Sequence, residues 1–345
     1  MIRSWIKSSA ARVISRTGLD NLVGSLSGSK GFPLVISYHR VVEDFASSAE
    51  NSIHSMLISR IMLEQHLDWL GRRYRFISLD ELGARLEARD SRQDPVVAIT
   101  FDDGYRDFYH HALPVLTRKG VPAAVFVVTD LVGTKRMQLH DKLHLLLARQ
   151  SRPDDGTRTP FQATRALLES LPQAEIEKVI QALEPEAPIA EDTLRPFYSL
   201  TWEMLDEISR AGITIGSHTR THVLMTHENK RRVIAEVAES RAAIEARLGR
   251  SVQHFAYPGG LFNTAAVEAV AGAGYRFGYT TCTHRDAGFP LLTLPRTLLW
   301  ENSCLDSNGL FSGSILNCQI RHAFDLVSGC RQRHATSQED QHGRL

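Results

Sequence analysis

The feature that most restricts the fold is an alternation. From residue 33 onward, short apolar runs are each followed by a polar turn and then by a stretch of helical periodicity, the pattern of successive βα units. Strands are predicted at Leu34–Tyr38, Val96–Thr100, Ala123–Val128, Ile213–Gly216, His254–Tyr257, Phe277–Thr281 and Leu292–Leu299. Helices are predicted at Leu63–Arg73, Leu79–Ala88, Ala112–Lys119, Glu203–Ala211, Lys230–Leu248 and Ala265–Ala273. Such an alternation favours a parallel sheet, open or closed into a barrel. A chain of 345 residues accommodates one large α/β barrel with insertions or two ordinary domains.

The segments that follow the predicted strands hold the polar chemistry: Tyr38-His39-Arg40, Asp102-Asp103-Gly104, Thr129-Asp130, Ser217-His218-Thr219, Pro258-Gly259-Gly260 and Cys282-Thr283-His284. In a parallel barrel the C-terminal strand ends share one face, so residues far apart in sequence converge there. Between about 131 and 198 the alternation breaks into helical runs around Lys142–Ala148, Gln162–Leu171 and Glu175–Leu183, flanking the polar stretch SRPDDGTRTP. This reads as a helical insertion, in the position of a lid.

Charge narrows the partners. Lys and Arg number 40 against 39 Asp and Glu, a net charge of +1, so no global field attracts nucleic acid and a neutral polymer is an acceptable substrate. The four cysteines, Cys282, Cys304, Cys318 and Cys330, show no C-x-x-C pair and read as ordinary thiols. No apolar run reaches the roughly 18 residues that span a bilayer. The N-terminal segment 1–30 lacks the continuous apolar core of a secretory signal. Its Ile2, Trp5, Ile6, Val13 and Ile14 recur among basic residues at helical spacing, which suggests an amphipathic helix. That helix packs on the domain or, alternatively, lies on a membrane surface through residues 1–26. The expected location is cytoplasmic, or, if that helix lies on a membrane, peripheral at the inner membrane. Residues 31–310 are expected to form the barrel domain, and the segment 311–345, ending in RQRHATSQEDQHGRL, a largely disordered tail.

Three motifs carry chemistry. Val96–Phe101 delivers the adjacent carboxylates Asp102 and Asp103. Adjacent carboxylates repel unless a proton or cation separates their charges, although a bare Asp-Asp-Gly also serves as a helix-capping turn. In Ser217-His218-Thr219-Arg220-Thr221-His222 the histidines are four apart. On one helical turn they would face the same way and chelate one ion, or simply form a surface pair. With Asp103 they make two imidazoles and a carboxylate, a usual ligand set for Zn²⁺ or a similar divalent metal. In Phe255-Ala256-Tyr257-Pro258-Gly259-Gly260 an apolar strand ends in Pro and two glycines. That is either an ordinary turn or a place where backbone N–H groups approach a ligand closely.

In order and chemistry these motifs resemble the polysaccharide deacetylase family, the NodB-homology or carbohydrate esterase family 4 group. TFDDGY resembles its first motif, HTRTH its H-[ST]-x-x-H motif and AYPGG a divergent third motif. LVISYHRV with FISLDEL is similar to the N-terminal part of exopolysaccharide-associated members. The resemblance covers about Val96 to Leu299 and implies a distorted (β/α) barrel, TIM-like with fewer than eight full units. It implies Asp102 as catalytic base and Asp103, His218 and His222 as ligands of a divalent metal, most naturally Zn²⁺, with Co²⁺, Ni²⁺ or Mn²⁺ as substitutes. Tyr105, Tyr257, Pro258 and Gly259 fall on the substrate and oxyanion side. The activity implied is hydrolysis of N-acetyl groups on amino sugars of a bacterial polysaccharide or a lipid-linked precursor, a metal-bound water attacking the acetyl carbon.

Two departures stand out. The family's third motif opens with an arginine that orients the base, where this chain has Phe255 or Ala256. Its last motif ends L-x-H, where this chain reads Leu294-Pro295-Arg296. Arg296 is therefore expected to replace the missing arginine beside Asp102, with His39 or His284 supplying the general acid. The departures also leave room for a catalytically impaired carbohydrate-binding or assembly protein, and the fold for a metal-dependent amidase acting on a small non-sugar amide. Trp202 or Trp300 exposed along a groove would favour a sugar chain.

Overall fold

Val96–Phe101 shows why the strands form. Its β-branched and aromatic run is buried at five of six positions, as expected of a parallel strand covered on both faces. In chain order the strands are β1 (Leu34–Tyr38), β2 (Arg40–Val42), β3 (Leu57–Ser59), β4 (Arg75–Phe76), β5 (Val96–Phe101), β6 (Ala123–Val127), β7 (Thr214–Ser217), β8 (His254–Ala256), β9 (Phe277–Thr280), β10 (Leu294–Pro295) and β11 (Thr297–Leu298). The structure, a computed structural model, describes residues 34–88, 94–150 and 158–323. The amphipathic segment expected over 1–30 lies outside them, as does Cys330.

The sheet runs β10-β9-β8-β7-β6-β5-β1-β11, with β4 also on β5, and its ladders are parallel. The single strand expected over Leu292–Leu299 is instead two short ones. Leu294 and Pro295 pair with Tyr279 and Thr280, whereas Thr297 and Leu298 pair with Ile36 and Ser37. Pro295 has no N–H to continue the first ladder, and the chain changes partner at Arg296. One segment thus joins the last full strand to the first and draws the ends of the sheet together, so the wall is a distorted (β/α) barrel.

Alternation along the strands sorts the side chains into two cores. Val35, Ala98, Ala124, Phe126, Ala256, Tyr279 and Leu294 share the smaller one, inside the barrel. Their neighbours Ile36, Val97, Ile99, Val125 and Phe255 belong to the larger one, beneath the surrounding helices. Small and large residues alternate to fill the interior. At Gly216 a Cβ would stand 2.5 Å from the Phe126 ring, so only glycine lets β7 pass that ring. The helix Leu79–Glu87 covers the N-terminal end: Asp80 bonds Thr214 and His254, the first residues of β7 and β8. The opposite, C-terminal end is left for chemistry.

The predicted helices are present within a few residues, Lys230–Leu248 with the same bounds. The insertion holds Leu139–Gln150, Pro160–Leu168 and Gln173–Leu183 around a separate core of Leu143, Leu146, Ile176 and Ile180. It returns beside the Asp102-Asp103 turn, where Leu200 N–H donates to Gly104 O at 2.9 Å. Part of the segment expected as a tail from 311 is ordered: Gly313–Ile320 is a helix that buries Ile315, Leu316 and Cys318, and residues 324–345 lie outside the described ones. The small parallel sheet of β2 and β3 was not predicted, since three-residue strands are too short to show a period.

His66, on the helix Arg60–Gly71, is fully buried and shares a hydrogen bond with Tyr38. Burial pushes its pKa down to about 3. The folded protein therefore keeps it neutral while the unfolded chain takes up a proton below its ordinary value of about 6.5. Stability is full above that value and falls as the pH drops toward 3. In chemical denaturation at pH 7 and pH 4.5, the wild type should lose about 2 kcal/mol more than His66→Gln does.

Candidate active site

Asp102 continues the inward parity of Ala98 and Thr100 at the end of β5, which aims its carboxylate across the barrel mouth. Arg296 meets it there. The guanidinium donates from Nη1 to Oδ1 at 2.7 Å and from Nη2 to Oδ2 at 2.8 Å. Nη1 also donates to Thr100 Oγ1, and the cation lies 5.3 Å from the Phe126 ring centroid. Arg296 is 1% and Asp102 3% exposed, so this is a bidentate pair shielded from water. Burial pushes the Asp102 carboxyl upward, but Arg296, then His218 and His39, outweigh it and hold the group below the usual carboxylate value. It is an ionised carboxylate held in one orientation.

Asp103 follows in a left-handed conformation, φ 70°, that turns its side chain away from that of Asp102. Neither of its buried oxygens has a hydrogen-bond partner. Facing Oδ1 instead are His222 Nε2 at 3.1 Å and His218 Nε2 at 3.6 Å. One ligand atom from each of the three residues lies within 4.8 Å of the others. The Nδ1 of His218 is 2.7 Å from Ala256 O. That contact requires the proton on Nδ1, leaving the Nε2 lone pair aimed at Asp103. Burial pushes Asp103 up, yet His222, His140 and His39 together bring it far below a normal carboxyl. Burial lowers His218 to about 4. His222 is also lowered by burial, but Asp103 more than compensates and its pKa is raised. A buried carboxylate without a donor, confronting two imidazole nitrogens, fits a divalent cation by donor type and by the unmet need of its oxygens.

The helical turn expected for His218–His222 is not there. The segment after β7 is a loop with Thr219 at φ 66° and His222 at φ 63°. Three of the four non-glycine residues with positive φ among those described are at this site, where left-handed strain is held by surrounding contacts. The chief of these is Glu236, 1% exposed on Lys230–Leu248. It accepts from Arg220 N–H at 3.0 Å, Thr221 N–H at 2.8 Å and Thr221 Oγ1 at 2.7 Å. Sequence reading missed Glu236 because it sits among the charges of a surface helix. Calorimetry should find metal affinity about 10 to 100 times weaker in Glu236→Ala, with the ligands untouched.

The insertion adds residues that no motif signalled. Gln138 Nε2 donates to Asp103 O at 3.1 Å. His140 Nε2 lies 3.0 Å from the Tyr105 hydroxyl and 3.9 Å from Asp103 Oδ2, and Tyr105 donates to Asp141 Oδ2 at 2.6 Å. All four residues are nearly buried. Polar residues opening an amphipathic helix normally face water, and only the docking of the helix on the barrel turns these inward. Tyr105 is accordingly tied to the insertion.

His39, half-buried after β1, leaves a buried Nδ1 without a partner and stands close enough to lower both Asp102 and Asp103. His284 is exposed and stacks on Phe262 with ring centroids 5.6 Å apart. Tyr257 and Pro258 are buried, and Gly259, φ 64°, is exposed in the turn Pro258–Gly260. Trp202 is half-buried against the main core beneath Arg247; Trp300 is half-buried as well.

The profile of the polysaccharide deacetylase family matches residues 89–278. The chain is 22% identical over 258 residues to YxkH of Bacillus subtilis, described as a polysaccharide deacetylase, covering 74% of this chain and 67% of that one. Among solved structures, the deacetylase PplD of Streptococcus pyogenes, in complex with acetate, aligns with TM-score 0.56 and 18% identity over 84% of this chain and 97% of its own. IcaB from Ammonifex degensii aligns with TM-score 0.55 and 20% identity over the same shares, 84% and 97%.

Proposed function

The chain belongs to the polysaccharide deacetylase family, and we propose that it hydrolyses N-acetyl groups on amino sugars of a bacterial polysaccharide or its precursor, using a divalent metal. The family itself makes it a deacetylating hydrolase. The observation that carries the finer reading is the buried Asp103 carboxylate, without a hydrogen bond, facing the Nε2 atoms of His218 and His222. Those three residues would hold the metal, with Zn²⁺ the natural occupant for two imidazoles and one carboxylate. When bound, it supplies Lewis acidity to the acetyl carbonyl and lowers the pKa of water.

The remaining chemistry belongs to the chain. Asp102, ionised and fixed by Arg296, takes the proton of the attacking water. Arg296 is a positioning residue that keeps this carboxylate charged and oriented at neutral pH. His39, near both carboxylates, donates a proton to the departing amine; the exposed His284 is the less suited candidate. Backbone N–H near Gly259 faces the oxyanion. Arg296 beside Asp102 makes good the arginine whose absence from the third motif suggested an impaired carbohydrate-binding protein. The S. pyogenes neighbour, solved with acetate, adds the acid that this reaction releases. Among the described residues no helix is long and apolar enough to cross a membrane; a lipid-linked substrate and a cytoplasmic site with contact through residues 1–26 remain part of the proposal.

Acetate release from N-acetylglucosamine oligomers tests the reading. Wild type should release it, Asp102→Asn should abolish it, and His39→Ala should slow it about 10²- to 10⁴-fold. Unchanged release in Asp102→Asn would exclude that residue as the base. A near-normal rate in His39→Ala would remove it as the acid.

A further inference from the structure

We propose that His140, supplied by the helical insertion, is an outer-sphere positioning residue of the metal site: its Nε2–H holds Oδ2 of Asp103 and leaves Oδ1 to the cation beside His218 and His222. This role rests on the metal-dependent reading and extends it to a part of the fold outside the motifs. The two oxygens of Asp103 face different neighbours. Oδ1 lies 3.1 Å from His222 Nε2 and 3.6 Å from His218 Nε2, whereas Oδ2 lies 3.9 Å from His140 Nε2. Both oxygens are buried without a hydrogen-bond partner. A cation shared with His218 and His222 would satisfy Oδ1, and a buried Oδ2 still needs a donor.

Hydrogen bonding fixes what His140 can offer. The Tyr105 hydroxyl donates its one proton to Asp141 Oδ2 at 2.6 Å, so toward His140 Nε2, at 3.0 Å, its oxygen can only accept. Nε2 therefore carries the proton and has no lone pair to give a metal. Distance agrees: Asp103, His218 and His222 have ligand atoms within 4.8 Å of one another, and His140 does not join that group. It is a donor beside the cation rather than a fourth ligand. At 3.9 Å its N–H makes an electrostatic contact with Oδ2, longer than a hydrogen bond. A small turn of the carboxylate closes it, and no other hydrogen bond holds Oδ2 back.

The insertion keeps His140 in place. The residue is 7% exposed, and its ring packs on that of His222 with centroids 5.0 Å apart, so it stands against two of the three ligands. Leu143, one turn along the same helix Leu139–Gln150, is buried in the insertion's own core. Gln138, just before that helix, meets Asp103 from the main-chain side, its Nε2 donating to Asp103 O at 3.1 Å. Backbone and side chain of Asp103 are both approached from the insertion. Docking of this segment thus sets the orientation of a ligand that belongs to a different βα unit.

Calorimetric titration of the metal-stripped full chain with Zn²⁺, together with the visible spectrum of the Co²⁺-loaded chain, tests this. His140→Phe keeps a ring against His222 and removes the N–H. It should bind Zn²⁺ about 10 to 100 times more weakly than wild type. Its Co²⁺ d–d bands should weaken and shift, because a carboxylate released at Oδ2 can bind with both oxygens and raise the coordination number. His140→Gln, whose amide N–H reaches about as far as Nε2, should bring affinity and spectrum back toward wild type, a recovery that a space-filling role would not produce. His140→Leu should read like His140→Phe and covers a failure of that variant to fold. Wild-type affinity and spectrum in the apolar variants overturn the proposal and leave the metal site standing. Equal losses in His140→Gln and His140→Phe also overturn it, since a donor at that position then does not suffice. If wild type takes up neither metal, the metal-dependent reading itself falls and the role of His140 falls with it.

Discussion

Metal-stripped protein titrated with Zn²⁺ should take up one equivalent, and His218→Ala should bind at least about 100 times more weakly. Changes to outer-sphere partners alone cost 10- to 100-fold in such sites, and this variant removes a ligand. His218 suits the test because it is 2% exposed and anchored by Ala256 O, so its Nε2 is oriented before metal arrives. The metal-free protein meanwhile holds Asp103 without a hydrogen bond, a desolvation cost that a bound cation relieves. Binding to the folded state alone should stabilise the wild type by about 2.7 kcal/mol at metal 100-fold above Kd, seen as a higher Tm. The variant should show no such rise. Equal uptake by His218→Ala would place the metal elsewhere and remove the basis of the proposed chemistry.

The second large effect is expected at Arg296. In Arg296→Met the buried Asp102 carboxylate loses both arms of its bidentate partner, and breaking a buried pair on one side costs about 3 to 5 kcal/mol. The sign of the pH effect follows from Asp102. Its folded pKa is lowered by the pair, so the pair's stabilisation is present above about pH 4 and is lost as pH falls through the lowered value. Without Arg296, burial dominates and the carboxyl takes up its proton at higher pH. The acid limb of kcat/KM should shift upward with it, and kcat/KM at neutral pH should fall about 10²- to 10⁴-fold. Arg296→Lys keeps the charge but loses the fork, and should restore stability more than rate. The double variant Arg296→Met with Asp102→Asn should regain part of the stability, since no buried charge remains unpaired, while staying inactive. A wild-type acid limb in Arg296→Met would show that the guanidinium does not control this carboxylate.

The alternation of apolar runs and helical stretches determined a parallel sheet with surrounding helices, because strand and helix periods are local properties of the chain, whereas closure toward a barrel depends on β10 and β11 pairing with opposite ends of the sheet. The carboxylates of TFDDGY and the imidazoles of HTRTH were legible for the same reason: their neighbours and spacing are written within a few residues. Geometry was not. The histidines four apart read as one helical turn, yet a loop strained at Thr219 and His222 presents them, and Glu236, 14 residues beyond His222 in numbering, holds that loop. The pairing of Arg296 with Asp102 could be expected from a missing arginine, but the exact bidentate contact depends on β10 and β11 exchanging partners to close the sheet. Gln138, His140 and Asp141 gave no signal, since a polar helix start looks alike whether it faces water or a buried carboxylate. Tertiary docking alone distinguishes those cases, because desolvation and partner choice are set by contacts between segments distant in the chain.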